Sequence, residues 1–227
     1  MKFLNGVPSY DLTYNDVFLV PSLSAVPSRQ GVDLSTTDGL GTTIPVVVSN
    51  MTAIAGRRMA ETVARRGGIV VMPQDIPLDV VENVVQFVKS RHTVYETPIT
   101  MPPTGTVGEA LSLIHKRAHG AVVVVDTDSK PMGIFTERDA IGSDRFAQLH
   151  NVMSTEVISL NASLSAENMF DEMTERRISF APVIDNDGRL VGVITRKGAL
   201  RSTIYKPAVD NKGQLMIGVA VGINGDP

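Results

Sequence analysis

The feature that most constrains this chain is an internal repeat. The stretch Val123-Val124-Val125-Asp126-Thr127-Asp128, followed by Met132-Gly133-Ile134-Phe135-Thr136-Glu137-Arg138-Asp139-Ala140, has a second version downstream. It returns as Pro182-Val183-Ile184-Asp185-Asn186-Asp187 and then Val191-Gly192-Val193-Ile194-Thr195-Arg196-Lys197-Gly198-Ala199. One offset of 59 residues carries Asp126 onto Asp185, Gly133 onto Gly192 and Thr136 onto Thr195. The spacing of apolar residues predicts an amphipathic helix ahead of each copy, over 107–118 and 164–175. Each copy then reads strand, Asp-rich turn, strand and the start of a second helix. Asp, Asn and Gly suit that turn because they tolerate left-handed backbone. Two units are too few for a solenoid, so the copies are expected to pack on each other as a pseudo-twofold pair.

Outside the repeat the pattern changes. Residues 44–49 are β-branched and unbroken in hydrophobicity, as expected of a strand buried on both faces. A helix is predicted over 55–66, with Met59, Ala60, Val63 and Ala64 on one face and Gly67-Gly68 as its stop. A short apolar strand follows at 69–72, and a helix over 78–89 is opened by Pro77. Alternation of strand and helix with two-sided burial implies α/β architecture with a parallel sheet or barrel. Beyond the repeat, residues 215–222 read as a third strand of this kind, followed by a turn at 223–227. Its sister strands lie upstream of the repeat, so one α/β unit interrupted by the repeat module and cut short after it is expected. The first 43 residues are punctuated by Pro and Gly and read as irregular.

Composition removes several functions. A net charge of −3 leaves no basic surplus to neutralise phosphates, so no nucleic-acid partner is expected. The absence of cysteine removes disulfides, Cys-based metal sites and thiol nucleophiles together. The start, Met1 to Gly6, turns polar before any signal-peptide core forms, and the longest apolar runs fall far short of the roughly 18 residues of a membrane span. A soluble, cytoplasmic chain without a membrane partner is the expectation.

The repeated element also carries the strongest chemical signal. Asp139 can accept both hydroxyls of a ribose, Thr136 can donate to an oxygen, and Arg138 supplies positive charge beside a helix N-terminus. The plainer alternative is that Thr136 and Asp139 cap the helix. In the second copy Gly198 stands where the aspartate should be, leaving Thr195, Arg196 and Lys197 to reach phosphates. His115 and His119 are four apart on a predicted helix but lack a third ligand, so no metal site is expected. Gly218, Gly222 and Gly225 lack the spacing of a phosphate loop. Arg57-Arg58 and Arg65-Arg66 read as a solvated helix face, with a subunit contact as the lesser option.

The 59-residue repeat with its Gly-x-x-Thr-x-x-Asp element resembles the CBS motif, a paired fold (Bateman module) that binds adenine and guanine nucleotides. A second resemblance spans the rest. Asp11-Leu12-Thr13-Tyr14-Asn15-Asp16-Val17, Val32-Asp33-Leu34-Ser35-Thr36 and Ile44 to Thr52 are similar to the IMP dehydrogenase / GMP reductase family at matching spacing. Arg58-Met59-Ala60 and Ala64 to Ile69 continue the likeness. The resemblance implies a partial (β/α)8 TIM barrel, first strands only, interrupted by a tandem CBS module inserted after the second barrel helix. Its boundaries would be 1–92 for the barrel start, 93–149 and 150–207 for the two CBS motifs, and 208–227 for the return to the barrel.

By the same resemblance Ser49, Asn50 and Met51 line the substrate purine-nucleotide pocket, with a core methionine as the alternative for Met51. The Asn-Met pair looks more like GMP reductases. The nearest likeness is an actinobacterial branch related to IMP dehydrogenase and linked to GMP reductase activity. The implied function is that of an N-terminal fragment of an oxidoreductase turning GMP and NADPH into IMP and ammonia, with ATP and GTP acting at the CBS module. The alternatives are IMP dehydrogenase, using NAD, and a non-catalytic CBS nucleotide sensor. Tetramers pairing into octamers are implied as well. The family's chemistry needs a cysteine nucleophile, so no catalytic residue is assigned in this chain, which alone should neither turn over substrate nor bind the cofactor tightly.

Overall fold

The structure, a computed structural model, describes residues 3–222; the turn expected at 223–227 lies outside them. The chain divides into two units, Met1–Asp33 and Leu34–Pro227. The first is irregular, as its Pro and Gly content predicts, apart from single 3-10 turns at Tyr14–Asp16 and Arg29–Gly31. The Asp16 carboxylate closes the former by accepting from the Thr13 amide at 2.8 Å and hydroxyl at 2.6 Å.

The second unit contains a parallel three-stranded sheet. It is built from β1 (Val47–Val48), β2 (Ile69–Met72) and β9 (Gly218–Val219), in the order β1-β2-β9. Val47 pairs with Ile69, and Val71 with Gly218, although the whole repeat lies between them in sequence. Helices α1 (Arg57–Ala64) and α2 (Leu78–Lys89) pack with it, burying Ala60, Ala64, Val70, Val88 and Leu215 in one core. Two-sided burial holds only for β2, which has a neighbour on each side. The strand expected at 44–49 shrinks to two residues, and Val47 is 62% exposed because β1 is an edge. The strand expected at 215–222 shrinks to Gly218–Val219 in the same way.

The repeat forms two further sheets of identical plan. One is β3 (Thr100–Met101), β4 (Ala121–Val125) and β5 (Pro131–Thr136); the other is β6 (Leu160–Asn161), β7 (Phe180–Ile184) and β8 (Leu190–Thr195). In each, a short parallel strand precedes an antiparallel hairpin, and Ala121↔Thr136 matches Phe180↔Thr195. The hairpin turns match atom for atom. Asp126 Oδ1 accepts from the amides of Asp128 and Lys130 at 2.9 and 2.8 Å, and Asp185 Oδ1 does so from Asp187 and Arg189 at the same distances. The left-handed position of that turn is Ser129 (φ 64°) in one copy and Gly188 (φ 79°) in the other. Helices α3 (Val107–Ile114) and α4 (Ala166–Glu175) back the two sheets, each N-capped by a hydroxyl, from Thr106 and Ser165.

The copies exchange their leading segments. Glu96, on the way into the first copy, bridges Val193 of the second; Ser154, on the way into the second, bridges Ile134 of the first. Both crossings run over the repeated glycine, since Tyr95 packs on Gly192 and Met153 on Gly133.

Two expectations about helices fail. The second helix after the hairpin forms only in the second copy, as α5 (Arg196–Ile204). In the first copy residues 137–142 are turns closed by i→i+3 bonds, and Gly142 (φ 80°) ends them where the second copy has Arg201. The helix expected over 107–118 stops at Ile114, and the chain turns away through Gly120 (φ 64°).

Candidate functional site

A cavity at the repeat holds about 620 Å³. His115 and Arg117 reach it from the turn after α3, Gly120 from the start of β4, and Thr136 and Arg138 from the end of β5. The second copy contributes Ser179, which precedes β7 at the position equivalent to Gly120. His115 lies 3.2 Å from the Glu137 carboxylate, and the chain turns around the cavity leave two guanidinium side chains on its wall. Its volume and charge suit a phosphorylated nucleoside, which needs several hundred Å³ and cationic donors.

The paired Thr136 and Asp139 do meet. Asp139 Oδ2 accepts from the Thr136 amide at 2.7 Å and its hydroxyl at 2.8 Å. This is the capping contact, and it closes a turn rather than a helix. Thr136 and Arg138 line the cavity, while Asp139 stands behind Thr136 and steadies it.

The second copy is built differently at the corresponding place. The Thr195 hydroxyl caps α5 by accepting from the Gly198 amide at 3.0 Å. Arg196 and Lys197 are exposed. The hollow beside Gly198 holds only about 40 Å³, because Thr62, Arg65 and Arg66 of the α1 region close over it. A side chain at 198 would place its Cβ 3.0 Å from Thr195 Oγ and 3.8 Å from Glu96 Oε1. The missing aspartate therefore leaves room that a neighbouring carboxylate already borders.

At α1 the expectation of a solvated face holds for Arg57, Arg58 and Arg66, which are exposed, and fails at Arg65, whose side chain is buried. Glu61 is fully buried, and Arg65 Nη2 donates to its Oε2 at 2.8 Å. Thr97 donates to the same oxygen at 2.6 Å, and Arg117 Nη1 donates to Oε1. Arg65 Nε also reaches the His92 carbonyl at 2.8 Å, and Arg58 reaches the Lys116 carbonyl at 2.9 Å. Arg57 lies over the Phe87 ring, 5.0 Å from its centroid. Burial acts to raise the Glu61 pKa, but Arg65, Thr97 and Arg117 outweigh it and hold the carboxyl below its ordinary value. Glu61 is therefore a buried anion, satisfied at both oxygens, joining the α1 helix to the repeat. Neither Glu61 nor Arg117 stood out in the sequence.

His115 and His119 do not share a helix face, since α3 has ended before either. His119 Nε2 lies 3.4 Å from the Thr97 carbonyl, and burial holds its pKa below the usual histidine range. Among the described residues no three His, Cys, Asp or Glu side chains gather as metal ligands, and no helix is long and apolar enough to cross a membrane.

Ser49, Asn50 and Met51 are exposed just past β1. Met51 is 55% exposed, which removes the alternative of a core methionine. Its carbonyl accepts from the amides of Ile54 and Ala55 at 2.9 and 2.8 Å, folding the loop back toward α1.

Residues 11–227 match the IMP dehydrogenase / GMP reductase domain family. The chain is 53% identical over 227 residues to a GMP reductase of Mycobacterium tuberculosis, covering 100% of this chain and 47% of that protein. It is 32% identical over 230 residues to an inosine-5'-monophosphate dehydrogenase of Nitrosopumilus maritimus, again covering 100% of this chain and 47% of that protein. Among solved structures it is similar to a GMP reductase from Trypanosoma brucei in complex with guanosine 5'-triphosphate. That likeness has a TM-score of 0.63 and 27% identity, covering 97% of this chain and 55% of that one. The chain spans about half the length of the curated relatives it matches.

Proposed function

From the premise that this chain belongs to the IMP dehydrogenase / GMP reductase domain family, we propose that it works within a purine-nucleotide oxidoreductase of the GMP reductase type. The reaction would convert GMP, NADPH and protons to IMP, NADP+ and ammonia. The observation that carries this reading is the 53% identity to a GMP reductase along the whole chain, against 32% to an IMP dehydrogenase. The parallel sheet is read as the start of a (β/α)8 barrel, spanning 1–92 and 208–227. Ser49, Asn50 and Met51 would face the substrate nucleotide, since such barrels bind ligands at the C-terminal ends of their strands. The sequence has no cysteine, so no covalent or hydride step is assigned to these residues. Spectrophotometry of the intact gene product tests the direction: NADPH consumption with GMP is expected, and NAD+ reduction with IMP in its place would refute it.

The repeat is read as a CBS pair, 93–149 and 150–207, binding ATP or GTP and joining tetramers into octamers. The cavity at Thr136 and Arg138 supports one regulatory nucleotide in the first copy. In the second copy the Thr195 hydroxyl is taken up in capping α5 and Gly198 replaces the aspartate, which favours one site over two. Asp139→Ala, which removes the charge-assisted bonds that steady Thr136 at the cavity, should weaken calorimetric nucleotide binding by roughly tenfold, whereas Lys197→Ala should change it little. Unchanged binding in Asp139→Ala defeats the assignment.

A further inference from the structure

Glu61 has no part in the function proposed above and Arg117 lines its nucleotide cavity, yet the pair ties the two regions together. Arg117 is on the wall of the large cavity and also donates to Glu61 Oε1. Glu61 is on α1, the helix that leads into the central strand of the parallel sheet. Among the described residues Glu61 is the carboxylate with which Arg117 pairs, and the Arg117 side chain keeps 14% of its surface open. Next to it, the Lys116 carbonyl accepts from Arg58, also on α1. One turn, 115–120, thus forms a wall of the cavity and the seat of the α1 helix.

We propose that Arg117 is a switch shared between Glu61 and the phosphate of a ligand in this cavity. The inference rests on reading the cavity as a polyphosphate-binding nucleotide site. A phosphate there meets Arg138 and Arg117, and Arg117 already neutralises a buried anion. Two anions then share one guanidinium. As the phosphate draws Arg117, the fully buried Glu61 Oε1 loses its donor, and the seat of α1 on the repeat loosens. Linkage makes the effect reciprocal: whatever strengthens the Arg117–Glu61 contact weakens phosphate binding by the same factor. Ligand occupancy in the repeat is thereby reported to the helix beside β2.

The test is a double-mutant cycle read by calorimetry with GTP, ATP and inorganic tripolyphosphate, on the whole chain. Glu61→Gln should tighten binding of the polyphosphate by about fivefold or more, the lower end of allosteric coupling. That gain should vanish when Arg117→Ala is also present. An equal gain in both backgrounds, which a through-space charge effect gives, or no gain at all, overturns the proposal.

Because Glu61→Gln leaves Arg65 buried without its partner, a measurement on the unaltered protein stands beside the cycle. Amide hydrogen exchange over residues 57–64 should quicken when the ligand saturates, and exchange that stays the same or slows refutes the switch. The nucleotide reading fails separately. Tripolyphosphate acting in both experiments while ATP and GTP do not bind keeps the switch and removes the nucleoside, whereas no binding by any of the three overturns both.

Discussion

The two repeated glycines occupy the same place in the two copies but should not tolerate alanine equally. At Gly192 a Cβ would lie 3.0 Å from Tyr95 Cε2, 3.1 Å from its Cγ and closer still to Cδ2. Carbon atoms prefer about 3.5–4.0 Å, so the ring would have to move bodily. Moving it is costly, because Tyr95 is buried in the second-copy core and stacked on His92, centroids 3.6 Å apart. At Gly133 the Cβ would meet Met153, at 2.8 Å from Cγ and 3.1 Å from Cε. A half-buried thioether with three rotatable bonds swings aside at little cost.

Overpacking against a fixed ring costs about 1–3 kcal/mol, while relief of glycine's backbone entropy in a strand returns about 0.5–1 kcal/mol. Gly192→Ala should therefore lower stability by about 1–2 kcal/mol, and Gly133→Ala should stay within about 0.5 kcal/mol of zero. For a chain of this size that is a fall of roughly 2–8 °C in Tm for the first and almost none for the second. Thermal unfolding followed by circular dichroism measures both. Tyr95→Leu in the Gly192→Ala background should restore part of the loss. A Gly133→Ala loss as large as that of Gly192→Ala would refute the reasoning, since it would mean that the glycine answers a backbone requirement and not the ring above it.

Two further outcomes follow from charged contacts. Asp210 accepts from Lys89 Nζ at 2.7 Å, and that bond with the Gln214 amide pushes its pKa from 3.8 down to about 2. Its folded value lies below its ordinary one, so its stabilising effect is complete above pH 3.8 and is lost as pH falls through about 2; Lys89→Met should move its carboxyl titration, seen by NMR, back upward, and an unmoved titration would discount the lysine. Arg65→Met should lower stability by about 3–5 kcal/mol in urea denaturation, because it leaves Glu61 charged, buried and short of a donor. A loss under about 1 kcal/mol, the range of a surface pair, would put Glu61 in water.

Much of the fold was legible because periodicity reports burial. The helix at Leu78–Lys89 and the strand at Ile69–Met72 lie where the apolar pattern put them, and the 59-residue offset carried over to register, turn and crossing segment. Strands 44–49 and 215–222 shrank because hydrophobic runs announce what a segment would bury, not which neighbours it has. The failure of a second helix in the first copy was legible in principle. Gly142 stands opposite Arg201, and a glycine at φ 80° ends what an arginine continues.

The ion network was not legible, for a physical reason. Glu61 and Arg65 are four residues apart on a helix, the spacing of an ordinary solvated pair that contributes a few tenths of a kcal/mol. What changes their meaning is the arrival of Thr97 and Arg117 from another part of the chain. Thr97 is brought in by the crossing of Tyr95 and Glu96 over β8, where the small Gly192 lies beneath Tyr95, and Arg117 arrives from the turn after α3. The repeat thus decides the burial of a helix that lies outside it. A variant that disturbs the crossing, such as Gly192→Ala, should strain the seat of α1 as well as the core beneath Tyr95. Amide exchange over 57–64 in that variant should rise above the wild-type rate even without ligand. If only the second-copy core responds, the crossing and the ion network are independent, and burial of Glu61 must have another cause.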